Sequence, residues 1–345
     1  MSFKVIKDPK LRLTGHTYWV RCVSWSPDGE TFATASADKT VRLFSAAGKE
    51  LFKVPHPDWV WHVCFSYTAK RKRIATACLD GIVRILDAGS GRVMQEIKAH
   101  SGTVNCCCFT PDGESVISVS YDKTAKVSRV GNGKVVHVIE GHNAPVLAVA
   151  VSPDGGKTYT ADTSGFVRVT DMKSGKEERC FKAHTGHVHS LALTADGETM
   201  ATAGEDKQVC VWSKQIDGAW LRTQCLQHAD TVQCVAFSPD GIVLGTSCAD
   251  NNVRLFEAGN GWEEQARVKG HTDEVNSLSF CASGPRLSLL TCSDDRAVCL
   301  WDASAVTVAI KVAKARALKA GAAKPASPEK QAVSVGDKTD MLGLD

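Results

Sequence analysis

One histidine returns seven times at nearly even intervals: His16, His56, His100, His142, His184, His228 and His271, spaced 40, 44, 42, 42, 44 and 43 residues apart. Four residues after each stands a valine (Val20, Val60, Val104, Val146, Val188, Val232, Val275), and nine after each a large apolar residue, as at Trp25, Phe65, Phe109 and Phe280. A period of this length marks a unit too small to bury its own faces, which gains a core only by stacking on copies of itself.

Each unit reads as strands. The run Val20-Arg21-Cys22-Val23-Ser24-Trp25 alternates with period two, the pattern of a half-buried strand. A turn follows, spelled Ser26-Pro27-Asp28-Gly29, Thr110-Pro111-Asp112-Gly113, Ser152-Pro153-Asp154-Gly155 and Ser238-Pro239-Asp240-Gly241 in four units. Proline presets the first turn φ, aspartate bonds its own backbone and glycine accepts the positive φ. A second strand (Thr31 to Ser36), a loop with an aspartate, a third strand (Val41 to Phe44) and a fourth, such as Val135 to Ile139, complete the unit. Four strands per 40 to 45 residues is one propeller blade. The predicted fold is all-β: a seven-bladed β-propeller with four antiparallel strands per blade, over residues 11–302.

The units resemble WD40 repeats, with Gly-His opening several and Trp301-Asp302 closing the last strand of the seventh. That resemblance implies a buried network of a His, a Ser or Thr, an Asp and a strand Trp within each blade. Blade 7 carries the fullest set, His271, Ser293, Asp295 and Trp301. Blade 5 has His184, Asp206 and Trp212 with Gly204 at the hydroxyl position, and blade 1 has His16, Ser36 and Asp38 with Phe44 for Trp. Blade 4 departs most, with Ser164 where Asp is expected and Thr170 for Trp, and is expected to lean on packing. A Ser, a His and an Asp together imitate a hydrolase triad, but an enzyme needs the set once and here it recurs blade after blade.

In this family the N-terminal strand usually completes the last blade. We assign Leu11-Arg12-Leu13, after an N-terminal extension of residues 1–10, to blade 7. Val306 to Ile310, within a possible extra strand at 303–312, is the rival. From residue 313 to 345 the composition turns to Ala, Lys, Pro and Ser without apolar period, which predicts a disordered tail. Net charge is +3, of which the last 33 residues supply +2, so the ring is almost neutral and lacks the basic field of a direct nucleic-acid binder. The 14 cysteines form no CxxC pair, Met1 to Lys10 has no apolar signal core, and no 18-residue apolar run exists. A cytoplasmic protein, with the nucleus as an alternative, and no membrane contact follow as expectations.

The residues three and five after each histidine head the first strand toward one mouth of the ring, and the residue before each loop aspartate joins them. Read around the ring, the large anchors crowd onto blades 1 to 3: Trp19, Arg21, Trp59, Trp61, Leu79 and Tyr121. Trp, Tyr and Arg bury large area at low entropic cost, so these six are the expected partner-binding residues. His184-x-x-His187-x-His189 has metal-like spacing, but His184 belongs to the blade network, which leaves two ligands. Cys106-Cys107-Cys108 alternates faces of a strand and is expected to pack. Lys70-Arg71-Lys72-Arg73 replaces the Pro-Asp-Gly turn of blade 2 and reads as a solvated hairpin tip.

No phosphate-cradling glycine loop, zinc-protease or nucleophile-elbow motif is present. The expected function is therefore a non-enzymatic, monomeric ring that scaffolds other proteins in a complex, with no cofactor and no metal. The alternatives are a ribosome-associated or RNA-processing subunit and a ubiquitin-ligase substrate receptor. The latter's Trp-Asp-x-Arg motif is broken here by Ala303-Ser304.

Overall fold

The computed structural model describes residues 3–66, 68, 72–258, 261–283 and 286–307. Seven antiparallel sheets follow one another along the chain. Blade 1 is Val20–Trp25, Thr31–Ser36, Thr40–Ser45 and Glu50–Pro55, paired in that order, and the others repeat it. Their innermost strands are Val60–Phe65, Val104–Phe109, Val146–Val151, Val188–Leu193, Val232–Phe237 and Val275–Ser283. Each innermost strand touches the next, and that of blade 7 touches that of blade 1, so the ring is closed around a central channel.

The apolar core lies between the sheets. Seven clusters of buried side chains occupy the seven seams between neighbouring blades, the last joining Val20, Trp25 and Phe32 of blade 1 to Leu290 and Cys292 of blade 7. All seven valines four residues after the repeat histidine are fully buried.

The chain's beginning serves two blades. Leu11–Leu13 pairs antiparallel with Val298–Asp302 as the outer strand of blade 7. Arg12 reaches inward from it to the Asp295 carboxylate (2.9 Å) and the Gly270 carbonyl (2.9 Å). Lys4–Ile6, read from the sequence as extension, runs parallel to Glu264–Lys269 and makes blade 6 five-stranded. At the other end, residues 304–307 form one helical turn, so the strand anticipated at 303–312 does not begin there. The remainder of that segment and the tail at 313–345 lie outside the described residues.

The blade network is built differently from the expectation at its hydroxyl. His16 Nδ1 donates to Asp38 (2.7 Å), while its Nε2 accepts from Thr34 (2.7 Å), not from Ser36. Ser36 turns instead to the Trp19 carbonyl (2.8 Å) and accepts the Asp38 N–H (3.0 Å). Blade 7 repeats this, with Thr291 on His271 (2.7 Å) and Ser293 on the Asp295 N–H (3.0 Å). Gly204 therefore leaves no gap in blade 5, where Thr202 meets His184 (2.8 Å). In blades 5 and 7 the indoles of Trp212 (3.1 Å) and Trp301 (2.8 Å) donate to the same threonines, making a four-residue relay. Thr and Ser two residues apart share a strand face, so spacing alone cannot choose between them.

Blade 4 lacks the indole but keeps the His–Asp–Thr part of the network, contrary to expectation. Asp162, two residues ahead of Ser164, accepts from His142 (2.7 Å), and Thr160 takes its other nitrogen (2.7 Å). Blades 2 and 6 are the exceptions. There His56 and His228 donate to their own backbone at Val54 (3.2 Å) and Leu226 (3.1 Å), while Asp80 and Asp250 are held by Arg84 and Arg254. In blade 2, Pro57 follows the histidine and lacks the N–H that Thr17, Ser101, Thr185 and Thr272 offer the aspartate in blades 1, 3, 5 and 7.

The aspartate is held low in all seven blades, with Arg84 and Arg254 taking the histidine's place at Asp80 and Asp250. Burial alone would raise Asp38, Asp162, Asp206 and Asp295, but hydrogen bonds led by their histidines hold all four below the usual carboxylate range. His56 and His228 are pushed down to about 4, first by burial. The unfolded chain, whose histidines titrate near 6.5, takes up protons that these two refuse, so stability is lost as pH falls through the interval from 6.5 to 4. Each contributes about 3 kcal/mol over that window. Denaturant unfolding of the wild type between pH 7 and 4 should show this decline. The His56→Gln/His228→Gln double variant should show a flatter one, and an equal slope would refute the assignment.

The loop between the second and third strands takes a positive φ in every blade, at Lys39, Gly81, Lys123, Gly165, Lys207, Asn251 and Arg296. At Gly165 (φ +85°) a Cβ would also overlap the His184 carbonyl oxygen and come within 2.8 Å of that of Gly186. Gly165→Ala should cost about 3 kcal/mol. Gly218→Ala, with a similar φ and open space around it, should cost only about 1 kcal/mol. Chemical denaturation of the two variants measures the difference.

Candidate functional site

Two structural repeats assemble one mouth of the channel. In each blade the innermost strand shifts register between the residues four and six after the histidine, so that the fifth is the extra residue of a bulge: Arg21, Trp61, Asn105, Leu147, His189, Gln233 and Asn276. A bulge re-aims its side chain out of the sheet's alternation. Beside it, the carbonyl three residues after the histidine accepts an N–H from the loop between strands two and three, as in Ala37 to Trp19 (2.9 Å), Leu79 to Trp59 (2.9 Å) and Tyr121 to Thr103 (3.0 Å). All seven blades make this bond, which binds two loops per blade into a single surface.

On blades 1 and 2 that surface is aromatic. Trp19 and Trp59 meet edge to face with centroids 6.0 Å apart, Trp59 lies 6.1 Å from Trp61, and the Arg21 guanidinium sits 4.6 Å over the Trp61 ring. Tyr18, which the sequence reading passed over, joins them at 4.7 Å from Trp19 and 5.8 Å from Trp59 and is 39% exposed. The positions chosen from the sequence were the third and fifth after each histidine, and Tyr18 is the second. The three tryptophans and Arg21 are half-buried, and the Arg21 Nε and Trp61 Nε1 donors are enclosed without an acceptor. Leu79 is half-buried next to Trp59 through its backbone bond, whereas Tyr121 is 53% exposed and, among the described residues, stacks on no other ring.

Across the blade 7 seam the mouth is acidic. Asn276 bridges the Val20 carbonyl (2.9 Å) and the Asp294 carboxylate (2.6 Å), and Asp294 faces Arg21 at 3.4 Å. Glu274 and Asp294 are both raised, first by burial and then, for Glu274, by Asp294 and Asp273 nearby. Opposite, on blade 5, His189 is lowered to about 4, first by burial and then by His187 beside it. His184 is spent on Asp206 and Thr202, and His187 pairs with Glu205 (3.7 Å), so the three histidines do not converge on an ion.

The basic cluster of blade 2 is committed where it is visible. Lys70 and Arg71 lie outside the described residues, Lys72 pairs with Asp28 and Glu30, and Arg73 is buried. A His–Asp pair with a hydroxyl recurs in five blades without a shared cleft. Shallow grooves between blades 3 and 4 and between blades 5 and 6 open at the Pro-Asp-Gly turns, on the opposite face. All 14 cysteines are free thiols. Among the described residues, the ligand atoms of one His/Cys group lie close enough to share an ion: His62, Cys64 and Cys107, within 4.8 Å of one another between blades 2 and 3. Sequence reasoning did not find it, because its members come from strands more than 40 residues apart.

The family described as WD domain, G-beta repeat matches seven segments, residues 7–45, 48–87, 91–127, 133–171, 175–213, 220–257 and 262–302. Similar proteins include a probable cytosolic Fe-S cluster assembly factor of Schizosaccharomyces japonicus, 35% identical over 30% of this chain and 17% of its own length. The protein transport protein sec13 of Schizosaccharomyces pombe is 39% identical over 19% of this chain and 23% of its own. The protein TOPLESS of Arabidopsis thaliana is 30% identical over 21% and 7% respectively. Each match thus spans less than a quarter of the relative's length. No helix among the described residues is long and apolar enough to cross a membrane.

Proposed function

Since the chain belongs to the WD40 family of WD-domain, G-beta repeat proteins, we propose that it is a non-catalytic, monomeric interaction scaffold of the cytosol. Its principal docking ground is the mouth of blades 1 and 2. The observation that carries this reading is the contiguous group of Tyr18, Trp19, Trp59, Trp61 and Arg21, half-exposed on a rigid rim. Aromatic and arginine side chains clustered in this way are the usual energetic centre of a protein interface. The carboxylates of Glu274 and Asp294 at its edge suit a partner segment that brings a cationic residue beside an apolar one. The names of the relatives, an assembly factor and a transport protein, fit a role within complexes. The RNA-associated reading draws no support from Lys72 and Arg73, which are already engaged, and the ligase reading lacks its arginine after Trp301-Asp302.

The Trp19→Ala/Trp59→Ala double variant tests the proposal. Affinity capture followed by mass spectrometry, run against the wild type, should lose a defined set of partners while Tm falls by only a few degrees. Full capture by the double variant together with a large drop in Tm would make these rings packing residues and refute the assignment.

A further inference from the structure

The channel wall repeats as strictly as the rest of the ring, and its exceptions coincide. Six residues after the repeat histidine, six blades carry Cys, Ala or Ser, and blade 2 carries His62. Seven residues after it, six blades carry Val or Leu, and blade 3 carries Cys107. These two departures from a seven-fold pattern lie on adjacent blades and touch, with Cys107 Sγ 3.9 Å from His62 Nδ1. Cys64, two residues beyond His62 on the same strand, completes the group with its Sγ 4.0 Å from that of Cys107. Cys107 is buried and His62 and Cys64 are half-buried, with Cys64 packed against the apolar seam of blades 2 and 3.

We propose that His62, Cys64 and Cys107 bind one Zn2+ ion at the seam of blades 2 and 3. A tetrahedral zinc with Zn–S near about 2.3 Å and Zn–N near about 2.0 Å holds its ligand atoms about 3.5 to 3.8 Å apart. Two edges of the triangle already stand at 3.9 and 4.0 Å, and the third is within 4.8 Å. Closure therefore asks for a few tenths of an ångström on two edges and at most about 1.3 Å on the third, within the reach of side-chain rotation. Thiolate and imidazole donors select a thiophilic cation over magnesium or calcium. Binding releases one proton from each thiol to solvent and uses His62 as the neutral imidazole, so Zn2+, two thiolates and imidazole sum to zero charge in a half-buried site. Three protein ligands leave the fourth position of the tetrahedron to a water. The ion ties two blades that otherwise meet only through packing and hydrogen bonds.

Titration of the intact chain with Co2+, in a thiol-free reductant, tests the assignment. The wild type should take up one equivalent, with a thiolate-to-cobalt charge-transfer band and strong visible bands of tetrahedral cobalt, and Zn2+ should displace it and raise Tm. Cys107→Val installs the residue type of the sister positions, so the variant should fold with the wild-type Tm in the absence of metal. Its affinity should fall roughly 100-fold or more, beyond what loss of an outer-shell contact costs. His62→Ser should do the same. The proposal is overturned if the wild type takes up no metal saturably at micromolar concentration, or if Cys107→Val binds as the wild type does. It is equally overturned if the loss appears instead in His189→Ala or in Cys210→Ser, the latter from the close thiol pair Cys210–Cys225 (3.5 Å).

Discussion

A four-stranded sheet with two apolar faces and no helices to cover them is insoluble alone, and everything else in this molecule follows from that constraint. Each blade hides one face against the blade before it and the other against the blade after it, which is why the core consists of seven seams. An open row would leave two faces bare. Only closure covers the last pair, and the seam between blades 7 and 1 is as apolar as the rest.

The polar network inside each blade is subordinate to that packing yet decides where function can sit. The repeat histidine stands at the entrance to the innermost strand and is tied by its Thr or Ser partner to the second strand and, in five blades, by its aspartate to the loop that follows. That anchorage sets the start of the innermost strand, and the bulge beginning four residues on turns a side chain toward the mouth. The rim is therefore held from below by buried groups. A partner that docks there meets side chains whose backbone needs little ordering, which lowers the entropic cost of association.

Much of this was legible in the sequence because the period of one histidine maps one to one onto blades, and the valine four residues later marks a strand that is wholly buried. The mouth residues were legible for the same reason, since a fixed offset from the histidine stays a fixed place in the blade. What escaped depended on choices between near-equivalent atoms or on distance along the chain. Thr34 and Ser36 share a face, and only their directions separate them. Asp162 does from two residues earlier what Asp38 does in blade 1, so an alignment by position saw Ser164 and inferred a loss. Arg84 and Arg254 claim the aspartates of blades 2 and 6, a competition that spacing does not reveal. Lys4-Val5-Ile6 is too short to show a period, and its parallel pairing on blade 6 has no signature. The contact of His62 with Cys107 joins neighbouring blades.

The pairing of Leu11 with Leu300 sets a temporal problem for a ribosome. At roughly 5 to 20 residues per second, Leu11–Leu13 is polymerised roughly 15 to 60 s before its partner. During that wait six blades can stack, but the circle stays incomplete and Leu11–Leu13 has no ladder to join. Its brevity and the cationic Lys7, Lys10 and Arg12 around it make it a poor template for a stray neighbour, the usual safeguard of an exposed edge. The latch of the ring is thus made early and used last, and its charges keep it idle in between.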